Sequence, residues 1–329
     1  IMAQRLGNIN QLDWFINEHH AFLAGTDFNI DHVVGLPDTV LYGCHNALNI
    51  GAYMQDEWSI NQKITATLGA RVDHYRILSE FHETNFSPKL AMLYQPEKSL
   101  GVRFLLAQAF RTPAMAERFI KFEQGGGLAF QPNPDLKSEK LVLSAEVGVK
   151  WSLKNRSNFD VALFYNKYRD LISFQQLSKP FEPLLYRVIN LKEAVMQGFE
   201  VAYQRQIGKV ARFNLGYTYL NARDVSADRL NDNLAYKMKH TLSMGATAYF
   251  GQFTSNVTAR YRSAIKEVFI YPGSEPGAAF LLNAKIGWQP IEQVQLYLAL
   301  DNLTNTQYEE LERYRMPGRS YTAGVSWEF

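Results

Sequence analysis

Apolar and polar side chains alternate in this chain over runs longer than a soluble sheet normally uses, and that feature most narrows what it can fold into. Successive side chains of an extended strand leave opposite faces, so a period of two gives each face its own residue set. Over residues 293–301, Val294, Leu296, Leu298 and Leu300 share one face, opposite Gln293, Gln295, Tyr297, Ala299 and Asp301. Over 209–221, Ala211, Phe213, Leu215, Tyr217 and Tyr219 oppose Arg212, Asn214, Gly216 and Thr218. Over 253–262, Phe253, Val257, Ala259 and Tyr261 oppose Thr254, Asn256, Thr258, Arg260 and Arg262. The pattern predicts strands over 4–17, 21–34, 46–58, 63–77, 87–95, 100–110, 139–153, 157–173, 188–205, 209–222, 237–250, 253–266, 278–289, 293–301 and 320–329. Many exceed the five or six residues of an ordinary globular strand, whereas a tilted strand that crosses a bilayer needs roughly 9–11.

The connections alternate in length. Short ones are expected at 18–20, 59–62, 96–99, 154–156, 206–208, 251–252 and 290–292, and long ones at 35–45, 78–86, 111–138, 174–187, 223–236, 267–277 and 302–319. Tight turns at one rim and long loops at the other are the habit of outer-membrane barrels, whose short turns are periplasmic. Charges stand in mid-strand at Arg103, at Arg71 with Asp73, and at Arg260. A wet interior accommodates them and a dry one does not. A soluble sandwich also alternates, with its apolar face inward. The long units and mid-strand charges favour the membrane, where every backbone polar group needs a partner and a closed barrel meets that demand. The expected fold class is therefore all-β, a transmembrane antiparallel barrel. The strand count is odd, so at least one further strand is expected upstream of Ile1, since single-chain bacterial barrels carry even numbers.

Composition removes other classes. Lys plus Arg number 34 against 32 for Asp plus Glu, a net charge of +2 that gives no reason to expect a nucleic-acid partner. No run approaches eighteen apolar residues, so a membrane-spanning helix is not expected. Ile1-Met2-Ala3-Gln4-Arg5 does not read as an export signal. The lone Cys44 has no partner for an internal disulfide and cannot build a cysteine zinc site. Neither His-Glu-x-x-His nor Gly-x-Ser-x-Gly occurs, no enzyme is expected, and no cofactor is implied. The last strand places Tyr321, Ala323, Val325, Trp327 and Phe329 on one face, and aromatic residues suit a lipid–water boundary.

Several short segments resemble those of TonB-dependent outer-membrane receptors, in the order and spacing of that family. Phe110-Arg111-Thr112-Pro113 is similar to its Phe-Arg-Ala-Pro box, and Asn133-Pro134-Asp135-Leu136-Lys137-Ser138-Glu139 to its Asn-Pro-Asp-Leu-Lys-Pro-Glu box with Ser138 in place of Pro. Asp301-Asn302-Leu303-Thr304-Asn305, followed by Gln307-Tyr308, resembles its Asn-Leu-Phe-Asp box, with Thr304 where Phe is commoner. Arg315-Met316-Pro317-Gly318-Arg319-Ser320-Tyr321 matches the segment that leads into the last strand. The resemblance implies that residues 1–329 are the carboxy-terminal portion of the barrel. They would supply about 15 of roughly 22 strands, with the plug domain, the first strands and the TonB box upstream. Tyr321, Val325, Trp327 and Phe329 then look like the assembly signal read by the barrel-assembly machinery. The implied partners are the TonB complex, the plug, outer-membrane lipid and lipopolysaccharide, and a metal-chelate substrate.

The function so implied is energised import of a ferric siderophore or similar metal complex. Alternatives are a passive substrate-specific porin, a haem or cobalamin receptor, or a structural or adhesive barrel used by phage or toxin. A bulky anionic chelate is held well by Arg or Lys beside aromatic rings. Residues 111–122 offer Arg111, Glu117, Arg118, Phe119 and Phe122, although Arg111 and Glu117 would serve equally to tie the loop down. Tyr186, Tyr236, Tyr271, Tyr314 and Arg315 are further candidates, each readable as rim packing instead. Residues 114–132 hold no His, which counts against haem. Gln124-Gly125-Gly126-Gly127 lacks the strand and helix that a nucleotide loop needs and reads as a loop segment.

Overall fold

The computed structural model describes residues 2–36, 43–77, 81–124, 127–154, 156–178, 182–229 and 231–328. The chain opens with six long strands: β1 (Met2–Phe15), β2 (His20–Val34), β3 (Cys44–Asn61), β4 (Ile64–Ile77), β5 (Phe81–Glu97) and β6 (Leu100–Arg111). An excursion follows, made of helix α1 (Met115–Phe119) and the short strands β7 (Phe122–Gln124) and β8 (Leu128–Gln131). The long strands resume with β9 (Glu139–Leu153), β10 (Ser157–Gln176), β11 (Leu184–Ile207), β12 (Ala211–Asp224), β13 (His240–Phe250) and β14 (Phe253–Arg262). The chain ends with β15 (Ala279–Ile291), β16 (Val294–Asp301), the hairpin β17 (Glu309–Leu311) and β18 (Tyr314–Arg315), and β19 (Ser320–Trp327).

Each long strand pairs antiparallel with its neighbours in the chain, and β6 passes over the excursion to pair with β9. β8 lies parallel on the start of β11, with Phe130 level with Tyr186. The short turns overlap the expected positions, with bounds displaced by up to three residues. Two long loops are shorter than expected. β5 begins at Phe81, inside the expected loop 78–86, and β10 and β11 reach Gln176 and Leu184, inside 174–187. Over 82–85 both faces are polar, His82 and Thr84 against Glu83 and Asn85, so no hydrophobic period marks the strand.

The register turns the alternation into two continuous faces. One row runs Val102–Val149–Val161–Val201–Tyr217–Leu242–Tyr261–Phe280 across eight strands. The row beside it, on the other face, runs Arg103–Gly148–Ala162–Glu200–Thr218–Thr241–Arg262. The apolar face is bare: Leu163 is 60% exposed and Val325 66%. Leu298, from the row Val294–Leu300, also stays exposed and does not enter a packed core. Among the described residues, the packed hydrophobic clusters lie at the long-loop end. There Ala47, Tyr75 and Ile77 meet Phe81, Met115 and Phe119, and Ala194, Ala222 and Leu234 form a second cluster. The polar face is held by ion pairs. Arg71 joins Asp73 and Asp27 at 2.5 and 2.6 Å, and Arg103 joins Glu146 and Asp160 at 2.8 and 2.7 Å.

The expected transmembrane antiparallel barrel, of which this chain was to be one part, is corrected by the topology. Seventeen of the described strands form one extended sheet that remains open, and β17 with β18 forms a separate two-stranded one. Among the described residues β1 pairs with β2 alone and β19 with β16 alone, and no ladder joins the two. A barrel exists only when its first and last strands exchange hydrogen bonds, because closure is what removes the edges. Alternation reports that a strand has two unlike faces; it carries no information on whether the sheet's ends meet. The same open edges correct the partial-barrel count of about 15 strands out of 22 as a description of this fold.

Candidate ligand site at the long-loop end

Four tyrosines singled out separately in the sequence converge. Tyr186 near the start of β11, Tyr236 before β13, Tyr271 before β15 and Tyr314 in β18 line one recess of about 360 Å³, together with Phe130, Phe174, Phe269, Ile270, Leu311 and Glu312. Strand ends and loop hydrogen bonds put them there. The parallel pairing of β8 on β11 sets Phe130 against Tyr186, ring centroids 5.9 Å apart. Phe174, two residues from the end of β10, meets Phe130 at 6.3 Å and Phe269 at 5.5 Å. Phe269 meets Tyr236 edge-on at 5.3 Å. The Tyr186 hydroxyl donates to the Ile270 carbonyl at 2.6 Å, and the side chain is 1% exposed.

A polar latch ties three loops at the recess. The Tyr236 hydroxyl donates to Glu312 Oε1 at 2.6 Å. The Ile270 amide donates to the same oxygen at 3.2 Å, and the Phe269 amide donates to the Tyr236 hydroxyl at 3.1 Å. Burial, and then the hydrogen bond to the Glu312 carboxylate, push the Tyr236 phenol up to about 12. Tyr236 sits at φ +58°, a left-handed backbone that a bulky side chain adopts only when its surroundings fix it. Arg313, beside Glu312, lies over the Tyr271 ring at 3.9 Å.

The segment 111–122 is arranged differently. Arg111 forks between Glu117 at 2.8 Å and Glu139 at 3.1 Å, and Glu117 also accepts the Ala114 amide at 2.8 Å. Arg118 is fully buried, stacked on Phe81 at 4.0 Å and donating to the Pro134 carbonyl at 2.7 Å. Phe119 stacks on His45 at 3.6 Å, and Phe122 lies in β7 opposite Phe130. Glu309 faces Arg315 across the β17–β18 hairpin. Phe329 and the pair Gly125-Gly126 lie outside the described residues.

The boxes that carried the resemblance act here as clasps. Asn133 donates to the Val188 carbonyl at 2.8 Å, and Asn190 exchanges bonds with the Lys137 backbone at 2.9 and 3.0 Å, stapling the excursion to β11. Asn302, at φ +49°, donates to the carbonyls of Thr306 and Pro317, and the Thr304 hydroxyl reaches the Phe280 carbonyl at 3.3 Å. Phe130, Phe174, Phe269 and Glu312 escaped the sequence reading. A lone Phe in a loop has no period, and Glu312 between Leu311 and Arg313 looks like a solvated charge. Among the described residues no cluster of His, Cys, Asp and Glu is placed to hold a metal ion.

The family of TonB dependent receptor-like β-barrels matches residues 3–303, and the chain belongs to it. It is thereby an outer-membrane protein of receptor type. Among curated proteins it is similar to the hemoglobin-haptoglobin-binding protein A of Haemophilus influenzae, at 24% identity over 96% of this chain and 36% of that protein. It is similar also to the vitamin B12 transporter BtuB of Vibrio vulnificus, at 23% over 100% of this chain and 50% of that protein. Its fold matches the siderophore receptor PirA from Acinetobacter baumannii with a TM-score of 0.78 and 17% identity, covering 99% of this chain and 55% of that one. The chain thus spans between about a third and a half of the length of these two curated relatives.

Proposed function

We propose that this chain belongs to a receptor that takes up a ferric siderophore or similarly sized metal complex, driven by TonB and working with a plug domain encoded outside this sequence. The aromatic recess holds the ligand. The convergence of Tyr186, Tyr236, Tyr271 and Tyr314 on one recess carries this reading. A wall of rings with one cation stacked on its margin suits a bulky organic chelate, since ring faces take up apolar ligand surface and attract cations. Arg111 and Glu117 pair with one another, and Arg118 is buried with its Nη1 donating to the Pro134 carbonyl. We therefore give them, with Phe119 and Phe122, the role of holding the excursion in place. Arg315, at the same hairpin as Tyr314, remains in the ligand-contact set.

A haem complex is the second reading, favoured by one observation. His45, which lies outside residues 114–132, stacks on Phe119 at the long-loop end. The experiment is uptake of radiolabelled ferric complexes, haem included, by the full-length protein in cells with and without TonB. TonB-dependent uptake that falls in a Phe269→Ala variant with normal surface yield is the expected result. Equal uptake in both backgrounds would overturn the energised reading, and unchanged uptake by the variant would remove the recess from it.

A further inference from the structure

The aromatic recess has a charge character of its own. Rings make up most of its wall, and they meet at angles: Phe130 and Tyr186 at 35°, Phe130 and Phe174 at 79°, Phe174 and Phe269 at 49°, Phe269 and Tyr236 at 75°. The wall therefore turns from ring to ring around a space of about 360 Å³. Among the described residues that line it, Glu312 alone carries a charge, and no Lys, Arg or His is present. The Glu312 side chain is a carboxylate only 7% exposed.

Four of the donors that an anion would need are spent. The Tyr186 hydroxyl donates to the Ile270 carbonyl, and the Tyr236 hydroxyl donates to Glu312 Oε1. The Phe269 amide donates to the Tyr236 hydroxyl oxygen, and the Ile270 amide to Glu312 Oε1. What these residues keep for a ligand is ring surface and one carboxylate, and a ring face is the negative side of the aromatic quadrupole. Tyr271 already holds a cation. The Arg313 guanidinium lies over its ring at 3.9 Å, reaching in from an exposed position in the turn between β17 and β18.

We propose that this recess binds an organic ammonium group, and that the metal complex carried by the receptor bears such a group on an arm. Ring faces attract the cation, the carboxylate adds to that attraction, and the apolar wall takes the methyl or methylene groups around the nitrogen. The inference rests on the ligand-site reading given above and narrows it. The recess selects a cationic arm and turns away an anionic one, and Arg313 competes with the arm for the face of Tyr271.

The test is a ligand-observed NMR titration of the purified full-length receptor with three probes of one shape. They are choline, the alcohol in which tert-butyl replaces its trimethylammonium group, and the anion of tert-butylacetic acid. Choline should bind roughly two- to thirty-fold more tightly than the alcohol, the span of a cation–π contact, and the anion more weakly than either. Glu312→Gln keeps an oxygen for Tyr236 and removes the charge, so it should bring choline down toward the alcohol. Phe269→Leu keeps apolar volume and loses a ring, so it should weaken choline more than the alcohol. Arg313→Gln, at an exposed position, should strengthen choline several-fold, whereas a recess built for anions would lose affinity for the anion. Equal affinities for choline and the alcohol, tighter binding of the anion, binding of none of the three, or weaker choline binding by Arg313→Gln would overturn the proposal. TonB-dependent uptake by a receptor indifferent to the charge of choline would leave the transport reading standing and remove this one. A preference for choline without TonB-dependent uptake would do the reverse.

Discussion

The Tyr236 hydroxyl and Glu312 Oε1, 76 residues apart in the chain, lie 2.6 Å from one another, and that contact joins the loops before β13, before β15 and before β19. Glu312 is 7% exposed, and its Oε1 also takes the Ile270 amide. Tyr236→Phe would leave this buried acceptor short of one donor, a change that costs about 1–3 kcal/mol. The cost should fall on the loops and not on the sheet. Hydrogen exchange at the Phe269 and Ile270 amides should accelerate by one to two orders of magnitude on that scale, while exchange in β11 to β14 stays at the parent rate. Uniform acceleration through the strands would show that the contact is not a local latch.

The same pair sets a pH dependence. Burial and the bond to Glu312 push the Tyr236 phenol up to about 12, above the ordinary value of about 10. The closed loops therefore favour the protonated phenol. Their stabilisation is complete below pH ~10 and is lost as pH rises through about 12. A difference titration of phenolate absorbance between the parent and Tyr236→Phe should isolate one group ionising near that upper value. A group appearing at the ordinary phenol value would contradict the geometry.

A third expectation concerns the polar face. Gly148 stands opposite Arg103, and a Cβ there would come within 2.5 Å of the guanidinium carbon that joins Glu146 and Asp160. Gly148→Ala must move the flexible guanidinium away from its two half-exposed carboxylates, a loss of up to about 1 kcal/mol. Gly69 makes the control. Its added Cβ would meet the Met54 carbonyl at 3.5 Å, ordinary contact, so Gly69→Ala should stay within about 0.5 kcal/mol of the parent. Thermal unfolding of the two full-length variants side by side decides the matter.

Much of this molecule was readable one residue at a time. Val294 to Leu300 and Phe253 to Tyr261 announce their strands because one face must be apolar, and short turns such as Gly251-Gln252 announce the reversals. What period two cannot report is what the strands do together. The row from Val102 to Phe280 has the same pattern whether the sheet curls into part of a barrel or stays extended, and the expected barrel is corrected on that point. The recess was half legible. Tyrosines near loop ends stand out singly, but that Tyr186 and Tyr314 share a wall depends on β8 lying parallel on β11 and on the Tyr236–Glu312 latch, both contacts between residues distant in the chain. Arg118 misled for the same reason: a loop arginine reads as exposed until Phe81 and the Pro134 carbonyl are found against it.

The last expectation concerns β19, an edge strand whose Tyr321, Val325 and Trp327 are 64%, 66% and 66% exposed on the apolar face. None of those side chains is among the residues that line the recess. They form an aromatic and apolar stripe on a strand whose ladder, among the described residues, is with β16, the form in which a strand can be recognised by a partner that adds to its edge. We expect that Trp327→Ala, and likewise Phe329→Ala, lowers the amount of full-length protein reaching the outer membrane several-fold. The affinity of the protein that does arrive should be unchanged, because the recess is built by β8, β10, β11 and loops that do not involve β19. Surface labelling measures the first quantity and ligand titration on intact cells the second. Normal surface yield with weakened binding would reverse the assignment and make the stripe part of the ligand site.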